Sequence, residues 1–259
     1  MNEPVPAAPS LMARRLEELS LNASGAFQSL LYDGWLLGYR TGPTKRLRCI
    51  NAFYASTLPL DQKVEHCVRL YESIGLPAIF RMLPFSHPPD LDIWLQRAGW
   101  DTFERTLVQH ARLDALPALP PSPGKLMVLP VPEWHAAAAG LLTVSAEALA
   151  QQVERSRNYP LPHAGAVLER DGEVIACGLL KLEGDHAGLF VVNTAEEHRG
   201  QGCARAIVAA LLVEAVRLGA HAAYLQVTAA NVAALALYRH FGFVTAYDYW
   251  YRARPGEQG

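Results

Sequence analysis

Arg199-Gly200-Gln201-Gly202-Cys203-Ala204 stands between two apolar runs and decides how this 259-residue chain is organised. The run before it, residues 188–193, is typical of a strand, and the run after it, residues 203–218, is typical of a helix. The two glycines let the backbone approach a ligand closely, and the first amides of a helix have no partner within it. Because the helix dipole and Arg199 both add positive charge, this stretch, the phosphate cradle, is predicted to bind a phosphate group.

A second run with chemical character lies at the next strand-to-helix junction. Asn231 precedes a helix that carries Ala234 and Tyr238, and Gly242 ends that helix before a final strand. An Asn in front of a helix can cap it by accepting a backbone N–H. A Tyr hydroxyl, with an ordinary pKa of about 10, can donate a proton to a leaving group.

Together the two runs resemble the GNAT superfamily of N-acetyltransferases, whose acetyl-CoA site reads Arg/Gln-x-x-Gly-x-Gly/Ala and whose next helix carries an Asn and a Tyr. The resemblance covers roughly residues 125–251. It implies an α/β fold in which a mixed, largely antiparallel sheet is flanked by helices. It also implies acetyl-CoA as cosubstrate and direct transfer of the acetyl group to a primary amine of a small molecule, amino acid or peptide. The matching positions are Arg199, Gly202, Ala204, Asn231 and Tyr238.

The resemblance also assigns roles to individual residues. Amides of the phosphate cradle would hold the pyrophosphate of acetyl-CoA, the end of the preceding strand would pair with the pantetheine arm, and Tyr238 would protonate the departing thiolate. Cys203 is expected to turn toward the core rather than act as a nucleophile. The residues expected to bind the cofactor are Val191, Val192, Asn193, Arg199, Gly200, Gln201, Gly202, Cys203, Ala204, Asn231 and Ala234.

Two matters stay open at this level. Glu196, Glu197 and His198 are interpreted as a solvated rim, so the general base would be a carboxylate from the first half or a chain of waters. An alternative function is a non-catalytic acetyl-CoA sensor or structural module in which Tyr238 only packs. A nucleotide-binding domain is disfavoured, because no Lys-Ser/Thr pair follows the glycines and no acidic ribose ligand lies about twenty residues further on.

The two halves of the chain repeat one order of helix, glycine and strand. Gly75 and Gly219 follow the first helix of each half, and Gly99 and Gly242 follow the second. This periodicity predicts a tandem arrangement with two GNAT-like sheets. A degenerate N-terminal half, residues 1–114, and a catalytic half, residues 125–259, would be joined by the proline-rich linker 115–124. The first half is expected to lack the site, with Pro59 before its helix, Pro88 opposite Asn231 and Leu95 opposite Tyr238.

Composition limits the partners. The net charge of −2 gives no reason to expect nucleic acid or an anionic membrane as partner. The N-terminal residues show no basic stretch followed by an apolar one, so the protein is expected to be cytoplasmic, as a monomer or homodimer, with small ligands. No metal site is expected. The four cysteines, without a Cys-x-x-Cys pair, are expected to be buried free thiols: Cys49, Cys67, Cys177 and Cys203.

The remaining elements and the acceptor pocket follow from periodicity and turn signals. Ser10 is expected to cap a helix whose apolar side carries Leu11, Leu16 and Leu19, and residues 47–53 are expected to form a strand after a Gly42-Pro43 turn. A meander over residues 164–193 and the helices between 133 and 155 would build the acceptor pocket. Four first-half aromatics would either line that pocket or fill the first core: Trp35, Tyr39, Phe53 and Tyr54.

Overall fold

The computed structural model describes residues 11–24, 28–40, 44–115 and 120–258, and its strands form one mixed sheet. The strands are β1 Ser29–Tyr32, β2 Trp35–Gly38, β3 Ile50–Asn51, β4 Phe80–Met82, β5 Asp101–Arg112, β6 Lys125–Leu129, β7 His163–Arg170, β8 Glu173–Glu183, β9 His186–Thr194, β10 Ala222–Thr228 and β11 Val244–Ala253. The helices are α1 Leu11–Ala23, α2 Leu60–Ser73, α3 Leu91–Arg97, α4 Val131–Ala138, α5 Ala146–Arg157, α6 Cys203–Arg217 and α7 Val232–His240.

The sheet has eleven strands in the order β1-β2-β3-β4-β11-β5-β10-β9-β8-β7-β6. The predicted α/β class is confirmed, but in place of two sheets the described residues form one. The reason is that β5 pairs with β10 and β11 pairs with β4, so each half places its last strand beside a strand of the other. These pairings satisfy backbone groups that would otherwise lie along two open edges. Residues 116–119 of the predicted linker lie outside the described residues.

The strands on the two sides of the central β5–β11 pair follow the same pattern in reverse chain order. Outward from this pair lie β4 and β10, then β3 and β9, and then β2 and β8. The β3–β4 pair and the β9–β10 pair are parallel, and every other pair is antiparallel. One helix connects the strands of each parallel pair, α2 in the first half and α6 in the second.

Side-chain alternation along the strands assigns the helices to faces of the sheet. Ala223 and Leu225 of β10 belong to the same core cluster as α6 and α7, whereas Tyr224 belongs to the cluster with α1. Cys177 and Leu179 of β8 pack with α4. Because neighbouring strand residues point to opposite faces, α6 and α7 lie on one face of the second half, and α1 and α4 lie on the other.

Several predicted details of the first half are wrong in the structure. Leu16 and Leu19 are buried, but Leu11 at the helix start is 87% exposed. The strand predicted over residues 47–53 is reduced to β3, because a 3₁₀ turn at Lys45–Leu47 precedes it. Strand β1, which pairs with β2, was not expected. Ser10 and the Gly42-Pro43 turn lie outside the described residues.

A buried charged network joins the two halves. The guanidinium of Arg81 on β4 binds both carboxylate oxygens of Glu17 on α1, at 2.9 Å through Nη2. Tyr247 on β11 donates its hydroxyl to the same carboxylate at 2.8 Å. Arg81 and Glu17 are almost fully buried, so a charge left without its partner there would be costly.

Metal clusters and membrane-spanning helices are absent from the described residues. Within the described ranges, no group of three or more His, Cys, Asp or Glu side chains could hold a metal ion. The helices in the same ranges are too short or too polar to span a bilayer. All four cysteines are free and buried, as predicted.

Candidate active site

Strands β9 and β10 are hydrogen-bonded to each other over only part of their length. They pair in parallel only from His186 to Leu189, opposite Ala222 to Leu225. Beyond Leu189, β9 continues to Thr194 while pairing only with β8, and Val191 takes a φ of 52° at an irregularity in that pairing. The edge of β9 that faces β10 is therefore open, as pairing with an extended pantetheine arm requires.

A cavity of about 710 Å³, here called the β9–β10 cavity, lies at this opening. It runs from the phosphate cradle, at the start of α6, to the start of α7. The structure brings ten of the twelve sequence-predicted site residues to its wall: Val191, Val192, Arg199, Gly200, Gly202, Cys203, Ala204, Asn231, Ala234 and Tyr238.

The phosphate cradle has a geometry suited to an anion. Gly202 is the N-cap of α6 with a φ of 84°, and Gly200 has a φ of 75°. An added Cβ at either glycine would meet no atom within 4 Å, so both face open space. The cradle also carries two arginines whose positive charges are available to an anion. Arg199 contacts Glu196 only at 3.9 Å, and Arg205 has no carboxylate partner among the described residues.

Two predicted residues do not line the cavity. Gln201 bridges the cradle to its surroundings, donating to the Glu197 carbonyl at 3.0 Å and accepting from Arg170 at 2.8 Å. Asn193 accepts the amide of Thr194 at 2.9 Å. Their side chains make local contacts in the loop and at the strand end.

Cys203 and Asn231 adopt the local structure that was expected of them. Cys203 is buried in the core cluster beneath α6. Asn231 caps α7, since its Oδ1 accepts the amide of Ala234 at 3.1 Å. Its amide nitrogen makes no hydrogen bond with the residues described and is available to a ligand in the cavity.

Tyr238 presents a hydroxyl to the β9–β10 cavity from the face of α7. Its ring packs edge-on against Phe243 at 5.9 Å and is 8% exposed, which fixes its position. Within the described part of the chain the hydroxyl has no hydrogen-bond partner. Burial raises the pKa of Tyr238, so the phenol stays protonated at neutral pH and can donate.

Several cavity residues were missed or discounted at the sequence level. Arg46 of the first half reaches the cavity and binds Gln226, which also accepts the Tyr249 hydroxyl at 2.9 Å. Thr194 and His198 line the wall as well. Four buried polar atoms here lack partners among the described residues: Arg46 Nε, Thr194 Oγ1, His198 Nδ1 and Gln226 Nε2. No local pattern indicates Arg46, because only the tertiary fold brings it to the cavity.

The lining of the β9–β10 cavity contains few side chains that could accept a proton. None of the described residues on its wall is a carboxylate, and the imidazole of His198 is among the side chains there. Glu196 and Glu197 are exposed, in agreement with their interpretation as a solvated rim.

A second cavity, here called the α1–α5 cavity, lies on the opposite face of the sheet. It has a volume of about 1080 Å³ and is walled by α1, α4, α5, β7, β8 and the end of β2. Leu179 on its wall pairs in the sheet with Phe190, which lines the β9–β10 cavity. None of the four first-half aromatics is on its wall: Trp35 and Phe53 are core residues, Tyr39 is half-buried elsewhere and Tyr54 is exposed.

The part of the chain that contains α6 and α7 is similar to a known family. Residues 133–243 match the model of the acetyltransferase (GNAT) family. The uncharacterized N-acetyltransferase YobR of Bacillus subtilis (strain 168) is 24% identical over 251 residues, which cover 93% of this chain and 98% of that protein.

Solved structures share the fold. A GCN5-related N-acetyltransferase from Kribbella flavida superposes with a TM-score of 0.69 at 16% identity, over 96% of this chain and 97% of that one. A tandem GNAT protein from the clavulanic acid biosynthesis pathway superposes with a TM-score of 0.56 at 18% identity, over 74% of this chain and 68% of that one. At these identities the likeness shows the fold alone.

Proposed function

We propose a reaction for this chain, which is a GNAT-type acyltransferase with acetyl-CoA as its cosubstrate. The acetyl group moves directly to a primary amine of a small molecule, amino acid or peptide. The observation that carries this proposal is the unpartnered Tyr238 hydroxyl in a cavity that begins at the phosphate cradle and follows an open strand edge.

Acetyl-CoA would be held along the length of the β9–β10 cavity. The free amides at the start of α6, with Arg199 and Arg205 beside them, suit the pyrophosphate. The open edge of β9 at Val191 and Val192 suits the amides of the pantetheine arm. The unpartnered polar atoms of Thr194 and Gln226 offer further hydrogen bonds, since buried polar groups without partners are rare.

The chemistry needs a neutral amine and a proton for the sulfur. The amine nitrogen forms a bond to the thioester carbonyl carbon while the carbon–sulfur bond breaks, and the departing thiolate takes the proton of Tyr238. The attacking nitrogen loses a proton to a base or to water. Because its pKa is raised by burial, Tyr238 carries the needed proton throughout the neutral range.

We further propose that the chain is a tandem of two GNAT-like units, residues 1–114 and 125–259, joined by residues 115–124. Support comes from the related strand order on either side of the β5–β11 pair and from two left-handed glycine pairs. Gly75 and Gly219 have φ of 69° and 97°, and Gly99 and Gly242 have φ of 82° and 79°. The tandem GNAT fold that superposes on much of the chain agrees with this division.

The proposed function is tested by measuring thiol released from acetyl-CoA with a panel of primary amines. Release is expected to require both the amine and the phosphate cradle. Gly202→Asp places a side chain and a negative charge in the cradle, so it should weaken acetyl-CoA binding and abolish the rise in melting temperature that acetyl-CoA causes.

Gly219→Asp is the matched control, because Gly219 also has positive φ and open space but lies at the other end of α6. Its strain is comparable, and its response to acetyl-CoA should equal that of the parent. Equal responses from both variants would place the phosphate site elsewhere, and the absence of amine-dependent thiol release would contradict the proposed reaction.

A further inference from the structure

The α1–α5 cavity lies beside the reaction site proposed above. Phe190 lines the β9–β10 cavity on one side of the sheet and packs partly against the α1 and α4 clusters on the other. Its sheet partner Leu179 lines the α1–α5 cavity. The two cavities are therefore adjacent, with the end of the β9–β10 pairing between them.

Three cations face this cavity from three different elements. Arg40 follows β2, Arg155 lies on α5 and Lys181 lies on β8. Lys181 donates to the carbonyl of Ala23 at 2.6 Å, and its ammonium lies 4.1 Å from the ring centroid of Tyr159. Within the described ranges, none of the three forms an ion pair with a carboxylate.

The carboxylates on the cavity wall are held by other groups. Glu183 accepts from Asn22 at 3.0 Å and from Arg15 at 3.2 Å. Glu154, which is exposed, accepts from Asn158 at 3.0 Å and lies 3.9 Å from Arg157. Among the described residues, neither carboxylate forms an ion pair with Arg40, Arg155 or Lys181.

Two of the three cations, Lys181 and Arg40, have lowered pKa values. Burial, and then the charge of Arg40, lower the pKa of Lys181 to about 8. Burial, and then the charge of Arg155, lower the pKa of Arg40. Like charges held together without a counter-ion are unfavourable until an anion joins them. Because the whole chain carries a net charge of −2, this excess of positive charge is local.

We propose that the acceptor is a small amine that also carries a carboxylate, and that Arg40 and Arg155 bind this carboxylate in the α1–α5 cavity. The proposal rests on the function proposed above and specifies its substrate class. A guanidinium suits a carboxylate because its N–H groups match the two oxygens. The cavity volume of about 1080 Å³ admits an amino acid or a similar small molecule, with its amine directed toward Phe190.

The test compares acceptors that differ only in charge. Thiol release is measured with glycine, β-alanine and glutamate, each beside its carboxamide, and with phosphoethanolamine beside ethanolamine. Amidation of an α-carboxylate lowers the pKa of the amine, which favours the amide as a nucleophile and so acts against the expected result. We expect kcat/KM for the best acid to exceed that for its amide by about 10-fold to 100-fold, the usual effect of a hydrogen bond to a charged group.

The double variant Arg40→Gln/Arg155→Gln should bring that ratio close to one while leaving the affinity for acetyl-CoA unchanged. Arg157→Gln is the control, because Arg157 lies on the same helix as Arg155 but does not line the cavity. Equal kcat/KM values for neutral amines and for the acids would overturn the proposal. So would an acid-to-amide ratio of kcat/KM that is unchanged in the double variant. Preference for phosphoethanolamine over every carboxylate would replace carboxylate by phosphate and overturn it as stated.

A binding experiment separates this proposal from the proposed reaction. Calorimetry with the acetylated products, N-acetyl-β-alanine and N-acetylglutamate, and with their amides needs no turnover. Tighter binding of the acids that is lost in the double variant supports the anion site even where no amine releases thiol, a result that would contradict only the proposed reaction. Equal binding of acids and amides overturns the anion site whatever the activity.

Discussion

The loops that precede α6 and α2 differ in what their backbone amides bind. Before α6, Gly202 is the N-cap, no side chain caps the helix, and the amides open into the β9–β10 cavity. Before α2, the carboxylate of Asp33 accepts the amides of Thr57 and Leu58 at 2.9 and 3.0 Å. It also accepts the Thr57 hydroxyl at 2.7 Å and lies 3.2 Å from the ammonium of Lys63.

In the first half, a carboxylate of the chain itself occupies the position that an anionic ligand would take. In the first half the negative charge is supplied by the chain itself, so the amides and the buried Lys63 are already satisfied. In the second half the corresponding groups are left for a ligand. The helices that follow differ in the same sense, because Leu95 on α3 is fully buried while Tyr238 on α7 presents a free hydroxyl to a cavity.

The largest expected effect comes from removing the hydroxyl that distinguishes α7 from α3. Tyr238→Phe should lower kcat by about 10²-fold to 10⁴-fold, because one general acid is lost. Acetyl-CoA affinity should stay nearly unchanged, since the ring still packs on Phe243. Steady-state thiol release and calorimetry measure the two quantities separately.

Tyr32→Phe is the control for this prediction, because Tyr32 stacks on His66 in the first half, away from the cavity. Its kcat should match that of the parent. Full activity in Tyr238→Phe would show that Tyr238 serves only as a core residue, and the two halves would then differ in cofactor binding alone.

The second prediction concerns the network that prevents the halves from being independent. Glu17→Gln leaves Arg81 buried with a weakened partner and should lower the free energy of unfolding by about 3–5 kcal/mol, as for a broken buried ion pair. Urea titration followed by circular dichroism should show one transition, since β5 and β11 tie both halves into one sheet.

Glu18→Gln changes the neighbouring residue, which is exposed and pairs with Arg15 at the surface. It should alter the stability by no more than about 0.5 kcal/mol. Two separate transitions in the parent, or similar losses in both variants, would contradict the interpretation of the network as a link between the halves.

The number of acetyl-CoA molecules bound per chain also distinguishes the two halves. One acetyl-CoA is expected per chain, because Pro59 offers no amide before α2 and Asp33 already occupies the amides of Thr57 and Leu58. Calorimetric titration of the parent should therefore give a single site. A second site of similar affinity would remove the contrast drawn between the two loops.

How far the sequence predicts the structure depends on how local the signal is. The meander of β7, β8 and β9 was located within a few residues, because turns such as Asp171-Gly172 carry their own conformational preference. The left-handed N-cap at Gly202 follows from the same kind of signal. The pairings of β5 with β10 and of β11 with β4 have no local signal, since they join residues about 110 to 170 positions apart.

The candidate site divides along the same line. Residues on contiguous stretches, such as the phosphate cradle and the start of α7, could be named from the sequence and do meet at one cavity. Arg46 and Gln226 meet from separate halves, and the cations of the α1–α5 cavity come from three elements. Only tertiary packing brings such groups together, so spacing along the chain does not reveal them.

The smallest expected effect is the pH dependence of the first-half carboxylate. Hydrogen bonds from Leu58 and Thr57 hold the pKa of Asp33 well below its usual range. A depressed pKa in the folded state adds stability above the unfolded value of about 3.9, and this stability is lost as pH falls toward the folded value. Asp33→Asn should therefore lower the melting temperature at pH 7, and the difference from the parent should shrink below about pH 4.

Asp171→Asn, in an exposed turn, is the control and should show a smaller difference at pH 7. A difference between parent and Asp33→Asn that does not change between pH 7 and pH 3 would indicate a role for shape rather than charge. The comparison of the two loops would then lose its electrostatic basis.

The pairing of β5 with β10 and of β11 with β4 also sets the order in which a ribosome can complete this sheet. Residues 80–82 form β4 early in synthesis, yet β11, which covers that edge, is made of residues 244–253. Until those residues leave the exit tunnel, the nascent first half exposes a strand edge that another chain could pair with. Strand β11, the last of this sheet in chain order, thus closes the first unit as well as the second, and termination before it leaves both unfinished.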